Sequence, residues 1–216
     1  MTEDSQALAI EGVRFFGEMS ASISHEIKNV LAIINENAGL LQDMLRMSEK
    51  GMPLSPERLL GLAQSITRQV ARGDRIVKGM NQFAHSADHP QEMVDVGEVI
   101  TFMANLAARL IAMKGAAPQI DASTTPVKAV TNRFFLEDLV WACLCRAMDA
   151  RDADQPVRMA AEKIENTARV RFYGLAGDSL AGGAGWPSPR EKLLAGLLSA
   201  QLAVDSEKGE ICLILL

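Results

Sequence analysis

"SISHEIKNVLAIINEN", residues 22–37, sets a histidine, an acid and an asparagine inside a run of helical apolar spacing. Which way its histidine points decides how the first half of the chain is read. Ile23, Ile27, Val30 and Ile34 recur every three or four positions, the mark of one packed helix face. At about 100° per residue, His25 lies roughly 160–200° from Ile23 and Ile27, on the opposite side of the helix. By the same arithmetic Glu18, Ser22, Asn29, Ala32 and Glu36 fall within about 60° of His25. The expectation is a strip of small and acidic residues facing water, with His25 on it.

Working outward, the spacing continues through Phe16, Met19, Leu41 and Leu45, so residues 5–50 read as one long helix. Gly51 and Pro53 interrupt it. Ser55 followed by Pro56 makes a restart, an N-cap with proline at the first helical position. A second helix then carries Leu59, Leu62, Ile66, Val70, Gly73, Ile76, Met80 and Phe83 on one face. Glycines 61, 73 and 79 each cost about 1 kcal/mol relative to alanine, so packing must supply much of its stability. Two such stripes joined by a short turn predict an antiparallel helical hairpin over residues 1–88. Apolar surface left uncovered on both helices predicts a homodimer, with two hairpins forming a four-helix bundle.

"HSADHPQEM", residues 85–93, reads as a linker, and the texture changes after it. Helices are expected over 97–114, over 132–150 with Asn132 as cap, and over 190–201. Short strands are expected at "PQIDAS" (118–123), "PVKAV" (126–130), "VRMAAEKIE" (157–165) and "TARVRFYG" (167–174). A terminal hairpin in 202–216 turns at Lys208 and Gly209. Helices mixed with mostly adjacent strands give an α+β fold class for 94–216, with helices covering one face of a sheet.

Composition narrows the function classes. The 216 residues are 48% hydrophobic and 23% charged, with a net charge of −5. No basic stripe is available to neutralise phosphates, which argues against a nucleic-acid module. Three cysteines, an odd number, fit a reducing cytoplasm better than a disulfide framework. Cys143 and Cys145, two apart on a helix, point in different directions and make no metal or redox pair. "MTEDSQ" does not read as a signal peptide. No apolar stretch approaches the roughly 18–20 residues that span a bilayer.

The chemistry open to the first motif is limited. H-E-x-x-H would make a zinc helix, but Asn29 stands where the second ligand belongs, so no metal site is expected. There is no G-x-S-x-G elbow. What remains is imidazole as a nucleophile toward a phosphoryl group, with a neighbouring carboxylate to orient the ring and take its proton.

"FFGEMSASISHEIKNVLAII", residues 15–34, resembles the H box of two-component histidine kinases, where an H-E-hydrophobic-K-N run lies on the first helix of a dimeric hairpin. The resemblance implies that His25 is the phosphoacceptor, that Glu26 assists transfer, and that Asn29 serves dephosphorylation of a response regulator. It makes Glu18, Ser22, Ala32 and Glu36 the docking strip for the receiver domain, which brings its own Mg²⁺. The family places a proline after the asparagine; Val30 stands there instead.

The second half is similar in element order to the family's ATP-binding domain, an α/β sandwich. Set against that pattern, "CLCRAMDA" puts Ala142 and Arg146 where magnesium-contacting asparagines belong. In "RFYGLAGDSL", Phe172 or Tyr173 takes the place of the acid that reads adenine, and Asp178 comes several residues late. "LAGGAG", residues 180–185, looks like a shortened lid without a lysine. The resemblance therefore implies a degenerate nucleotide site and no cofactor of the chain's own, as in the sporulation-type phosphotransferases. Three readings follow: a histidine phosphotransfer protein, a divergent kinase autophosphorylating from ATP, or a non-catalytic dimeric scaffold that binds a response regulator.

Overall fold

The computed structural model describes residues 3–123, 125–152, 155–182 and 185–216. Backbone packing divides the chain into two compact units. One is Ser20–Gln82; the other joins the segment up to Met19 with Phe83–Leu216.

The first unit is a helical hairpin built from α1 (Glu3–Glu49) and α2 (Pro56–His85). Gly51 turns the chain at φ 86°, a conformation that favours glycine. Ser55 then caps α2: its hydroxyl accepts from the Arg58 amide at 3.3 Å and donates to the Glu57 carboxylate at 2.8 Å. Pro56 opens the helix where its missing N–H costs nothing. Gly73 explains the glycine in the α2 stripe, because a Cβ there would stand 3.3 Å from Val30 Cγ1. Its absence lets the two helices close on each other.

The packed face of α1 differs from the expected one. Within this unit Ile23 and Val30 are buried, while Glu26, Ile27, Ile33, Ile34, Asn37, Ala38, Leu41 and Met44 are half-buried. At about 100° per residue, that face is broad and its centre lies roughly 145° from His25, turned somewhat from directly opposite. Ser22, about 60° from His25 on the same scale, is therefore drawn into the packed face. It is buried, and its hydroxyl has no hydrogen-bond partner among the described residues. Leu45, expected on the stripe, is instead 48% exposed. With Leu31 on α1 and Leu60, Val70 and Val77 on α2, it leaves the hairpin with uncovered apolar residues.

The second unit contains a two-stranded ribbon and a five-stranded sheet. In the ribbon, β1 (Glu92–Asp95) pairs antiparallel with β3 (Lys128–Thr131). The end of the expected linker is thus a strand; its proline and histidine composition concealed a four-residue element whose partner lies far along the chain. The sheet has the order β2-β4-β5-β7-β6, with β2 (Gln119–Asp121) parallel to β4 (Arg158–Ile164). The remaining pairs, through β5 (Thr167–Tyr173), β7 (Glu210–Leu215) and β6 (Ala200–Asp205), are antiparallel.

Five helices accompany these strands among the described residues: α3 (Val96–Leu106), α4 (Ala108–Lys114), α5 (Arg133–Asp149), α6 (Gly177–Ala181) and α7 (Pro189–Leu197). The expected helix over 97–114 is bent by 69° between α3 and α4. The helix expected over 190–201 ends at Leu197, because Ser199 takes φ 50° and β6 begins at Ala200. A short helix, α6, occupies the start of the glycine-rich segment, while Gly183 and Ala184 of "LAGGAG" lie outside the described residues.

Burial follows the two periodicities. On β5, Ala168, Val170 and Phe172 are buried and alternate with half-buried Arg169, Arg171 and Tyr173. The buried set joins Leu136, Leu139, Val140 and Leu144 of α5 and Ile211 and Leu213 of β7 in one core. Asn132 caps α5 through its side-chain oxygen, which accepts from the Phe135 amide at 3.0 Å. The terminal hairpin turns where expected, with Asp205 accepting from the Lys208 amide at 3.0 Å and Gly209 at φ 62°. The start of α1 belongs to this unit: Phe15 meets Phe83 edge-on at 5.3 Å and Phe134 at 5.4 Å. Among the described residues no single helix is long and apolar enough to cross a membrane.

Candidate functional site

His25 is exposed on the middle of α1, held there by a helix with no break on either side. Asn29, Ala32 and Glu36 are exposed as well, so four of the expected strip residues face solvent within the hairpin unit. Ser22 does not. Glu18, in the other unit, is exposed too, and its carboxylate accepts a hydrogen bond from Trp141 Nε1 at 3.3 Å. The strip is therefore narrower than sequence spacing implies, and it is centred on His25, Asn29 and Ala32.

Glu26 sits differently from its neighbour. Its carboxylate is paired with the Arg72 guanidinium of α2, through Oε2 and Nη2. The Glu26 side chain is 23% exposed and that of Arg72 41%. Among the described residues no hydrogen bond joins Glu26 to His25. Arg72 carries no local motif, yet its spacing marks it: it falls three residues after Gln69 and four before Ile76, on the packed side of α2. A charge at the edge of a packed stripe gains from a partner, and here the partner is Glu26.

The expected nucleotide positions lie in the second unit. Ala142 is buried on α5, and half-buried Arg146 turns its guanidinium to α6. Arg146 Nη2 donates to the Ser179 carbonyl at 2.7 Å and to the Leu180 carbonyl at 3.2 Å. Arg146 thus ties α5 to α6. Phe172 is fully buried in the core. Tyr173 points to the other face of the sheet, where its hydroxyl donates to Asp121 and its ring lies between Arg158 (5.2 Å) and Arg171 (4.8 Å). Asp178 is exposed in the first turn of α6. None of these groups presents a buried carboxylate to an adenine amino group.

A cavity of about 430 Å³ lies beside α5, lined among others by Glu11, Glu18, Trp141, Ala142, Arg146 and Arg190. Its charged lining is already engaged. Arg190 donates to Glu11 at 2.9 Å and pairs with Asp138, and Lys114 pairs with Asp149 at 2.6 Å. Among the described residues no group of histidines, cysteines and acids could hold a metal ion. Burial pushes the Cys145 thiol up to about 12, and Cys143 higher still, so neither supplies a thiolate.

Two buried acids on α5 escaped the sequence reading. Asp138 and Glu137 are fully buried. Burial raises Asp138 to about 7, with Arg190 opposing it, and raises Glu137 to about 7, with Arg133 opposing it. Each leaves one carboxylate oxygen without a hydrogen-bond partner among the described residues. Burial outweighs pairing because each acid has only one arginine and no water-facing edge.

No known protein family matches the chain, and no curated protein matches it. Solved structures similar to it include the Acinetobacter baumannii histidine kinase AdeS, at 14% identity over 82% of this chain and 92% of that one, with a TM-score of 0.43. The histidine kinase ThkA, in complex with the response regulator protein TrrA, is 16% identical over 98% of this chain and 63% of that one, with a TM-score of 0.47. Full-length ShkA in complex with AMPPNP is 16% identical over 87% of this chain and 45% of that one, with a TM-score of 0.44. Likeness this low says nothing about chemistry; that must come from the residues.

Proposed function

We propose that this chain is a histidine phosphotransfer protein of a two-component phosphorelay, exchanging a phosphoryl group between His25 and the aspartates of response-regulator receiver domains. The observation that carries the reading is the exposed imidazole of His25, mid-helix, with Asn29 one turn on and a docking strip of Ala32 and Glu36 beyond it. One ring nitrogen attacks phosphorus in line. The acyl phosphate P–O bond breaks, its electron pair returns to the aspartate carboxylate, and an N–P bond forms. The proton on the other ring nitrogen leaves through Glu26. In a separate reaction, hydrolysis of the regulator's acyl phosphate, Asn29 orients the attacking water or a phosphoryl oxygen, and inorganic phosphate leaves as the P–O bond to the aspartate breaks. The regulator brings the Mg²⁺ that its own acids hold.

The reading assigns no ATP chemistry to the second unit. An arginine cannot ligate Mg²⁺, and an aromatic ring cannot accept from the adenine amino group. Arg146 is moreover spent on two lid carbonyls. Uncovered Leu31, Leu45, Leu60, Val70 and Val77 support a homodimer through the hairpin, forming a four-helix bundle. The three free cysteines suit a cytoplasmic setting.

The test uses receiver domains from the same genome, phosphorylated with labelled acetyl phosphate, against wild type and His25→Ala. Label on wild type and none on the variant is expected. A wild-type chain that accepts no label from any receiver would refute the reading.

A further inference from the structure

The ion pair between the two helices of the hairpin points to a residue outside the H-box run. We infer that Arg72 of α2 is a positioning residue for phosphoryl transfer at His25, acting by holding the Glu26 carboxylate. This rests on the phosphotransfer reading above.

Glu26 lies at about 100° from His25 on the helix, within the packed face. Without a partner its side chain would be free to swing out into solvent, since a half-buried carboxylate that lacks one is disfavoured. Arg72 removes that alternative. Its guanidinium engages Oε2, which fixes the rotamer of the side chain. Oε1 has no hydrogen-bond partner among the described residues and remains free to accept a proton. Gly73, next to Arg72, sets the reach of the pair. The close approach it allows at Val30, one turn beyond Glu26, fixes the spacing that a guanidinium and a carboxylate must span.

When His25 takes a phosphoryl group, the ring nitrogen that bonds to phosphorus supplies an electron pair. The N–H on the other nitrogen then becomes acidic. A fixed carboxylate anion accepts that proton and later releases it to water. Arg72 touches neither the imidazole nor the phosphoryl group; it sets the geometry of the carboxylate that takes the proton.

Phosphoramidate is the probe, because it phosphorylates exposed histidines without a docking partner. Its P–N bond breaks as ammonia leaves with the electron pair, and the new N–P bond forms on His25. Full-length wild type, Arg72→Ala, Arg72→Lys, Arg72→Gln, Glu26→Gln and the Arg72→Ala/Glu26→Gln double variant are followed by phosphate-affinity electrophoresis over a range of phosphoramidate concentrations. Far-ultraviolet circular dichroism and mass in solution confirm an intact hairpin. The maximal rate in Arg72→Ala should fall by about tenfold or more, less than the roughly 100-fold that a positioned acid–base group itself contributes, because Arg72 acts through Glu26. The half-saturating concentration should not change. Lysine should recover most of the loss and glutamine little of it. In the Glu26→Gln background, removing Arg72 should have no further effect.

Equal rates for wild type and Arg72→Ala, or losses that multiply in the double variant, would overturn the role of Arg72 while leaving the phosphotransfer reading standing. A wild-type His25 that phosphoramidate leaves unmodified would overturn both.

Discussion

His25 on α1 and Arg146 on α5 were both expected at sites of chemistry, and their surroundings are opposite. The His25 strip presents exposed side chains on a rigid helix, and its one paired group, Glu26, is held from the far helix. Around Arg146 the polar groups are consumed internally. The arginine is bonded to two carbonyls of α6, Arg190 to Glu11 and Asp138, and Trp141 to Glu18. Exposed donors and acceptors remain available to a partner. Polar groups drawn toward the interior pair with one another, because buried polar groups left unpaired cost about 1–3 kcal/mol each.

The largest effect should come from His25→Ala, which removes the nucleophile on the open side of that contrast. Receiver-dependent labelling should be lost altogether, since the acceptor nitrogen is gone, with helix content unchanged. Residual labelling at another residue would show that the exposed strip is not where transfer happens.

Next in size is the apolar face that the hairpin leaves uncovered. Leu31→Glu with Val70→Glu should drive the proposed homodimer to monomer, raising its dissociation constant by about 100-fold or more, since each buried aliphatic side chain contributes on the order of 1.5–3 kcal/mol. Sedimentation equilibrium reads this directly. A wild-type chain that is monomeric at micromolar concentration contradicts the bundle.

The third prediction probes the closed side. Asp138, raised by burial to about 7, binds a proton in the folded state at pH values where the unfolded chain has released it. Its contribution is therefore fully present below the ordinary carboxylate range and is lost as pH rises from about 4 through 7. Asp138→Asn should flatten the decline of stability across that window by on the order of a few kcal/mol. Urea unfolding at pH 4.5 and pH 7.5 measures it. An unchanged slope would place the charge on Asp138 in the folded protein, held there by Arg190.

The smallest effect is expected from Arg146→Asn, which returns an asparagine to α5 and removes the staple to α6. About 1 kcal/mol of stability should be lost with the hydrogen bonds, and Mg-ATP should still not shift the melting temperature. A melting temperature that rises with Mg-ATP would show that a single residue closes the nucleotide site.

Much of this contrast was legible in the sequence. The 3.6-residue period of Ile23, Val30, Ile66 and Ile76 located the hairpin, and the Ser55–Pro56 cap located its second helix. The alternation in "TARVRFYG" located a half-buried strand. Ser22 was misplaced because the packed face of α1 is broad enough to reach it beside Ile23 and Glu26, a breadth that local spacing does not set. β1 was missed because a four-residue strand is specified by its partner β3, 36 residues on. The Arg72–Glu26 and Arg190–Asp138 pairs span 46 and 52 residues. Each left only an indirect trace, a charge on an otherwise packed helix face.

The most direct test of the account is to ask which donor loads His25. Full-length protein is incubated in parallel with labelled Mg-ATP and with receiver domains carrying labelled aspartyl phosphate, beside His25→Ala. The account predicts label from the phosphorylated receivers, none from ATP, and none on the variant with either donor. Label appearing on His25 from ATP would contradict it.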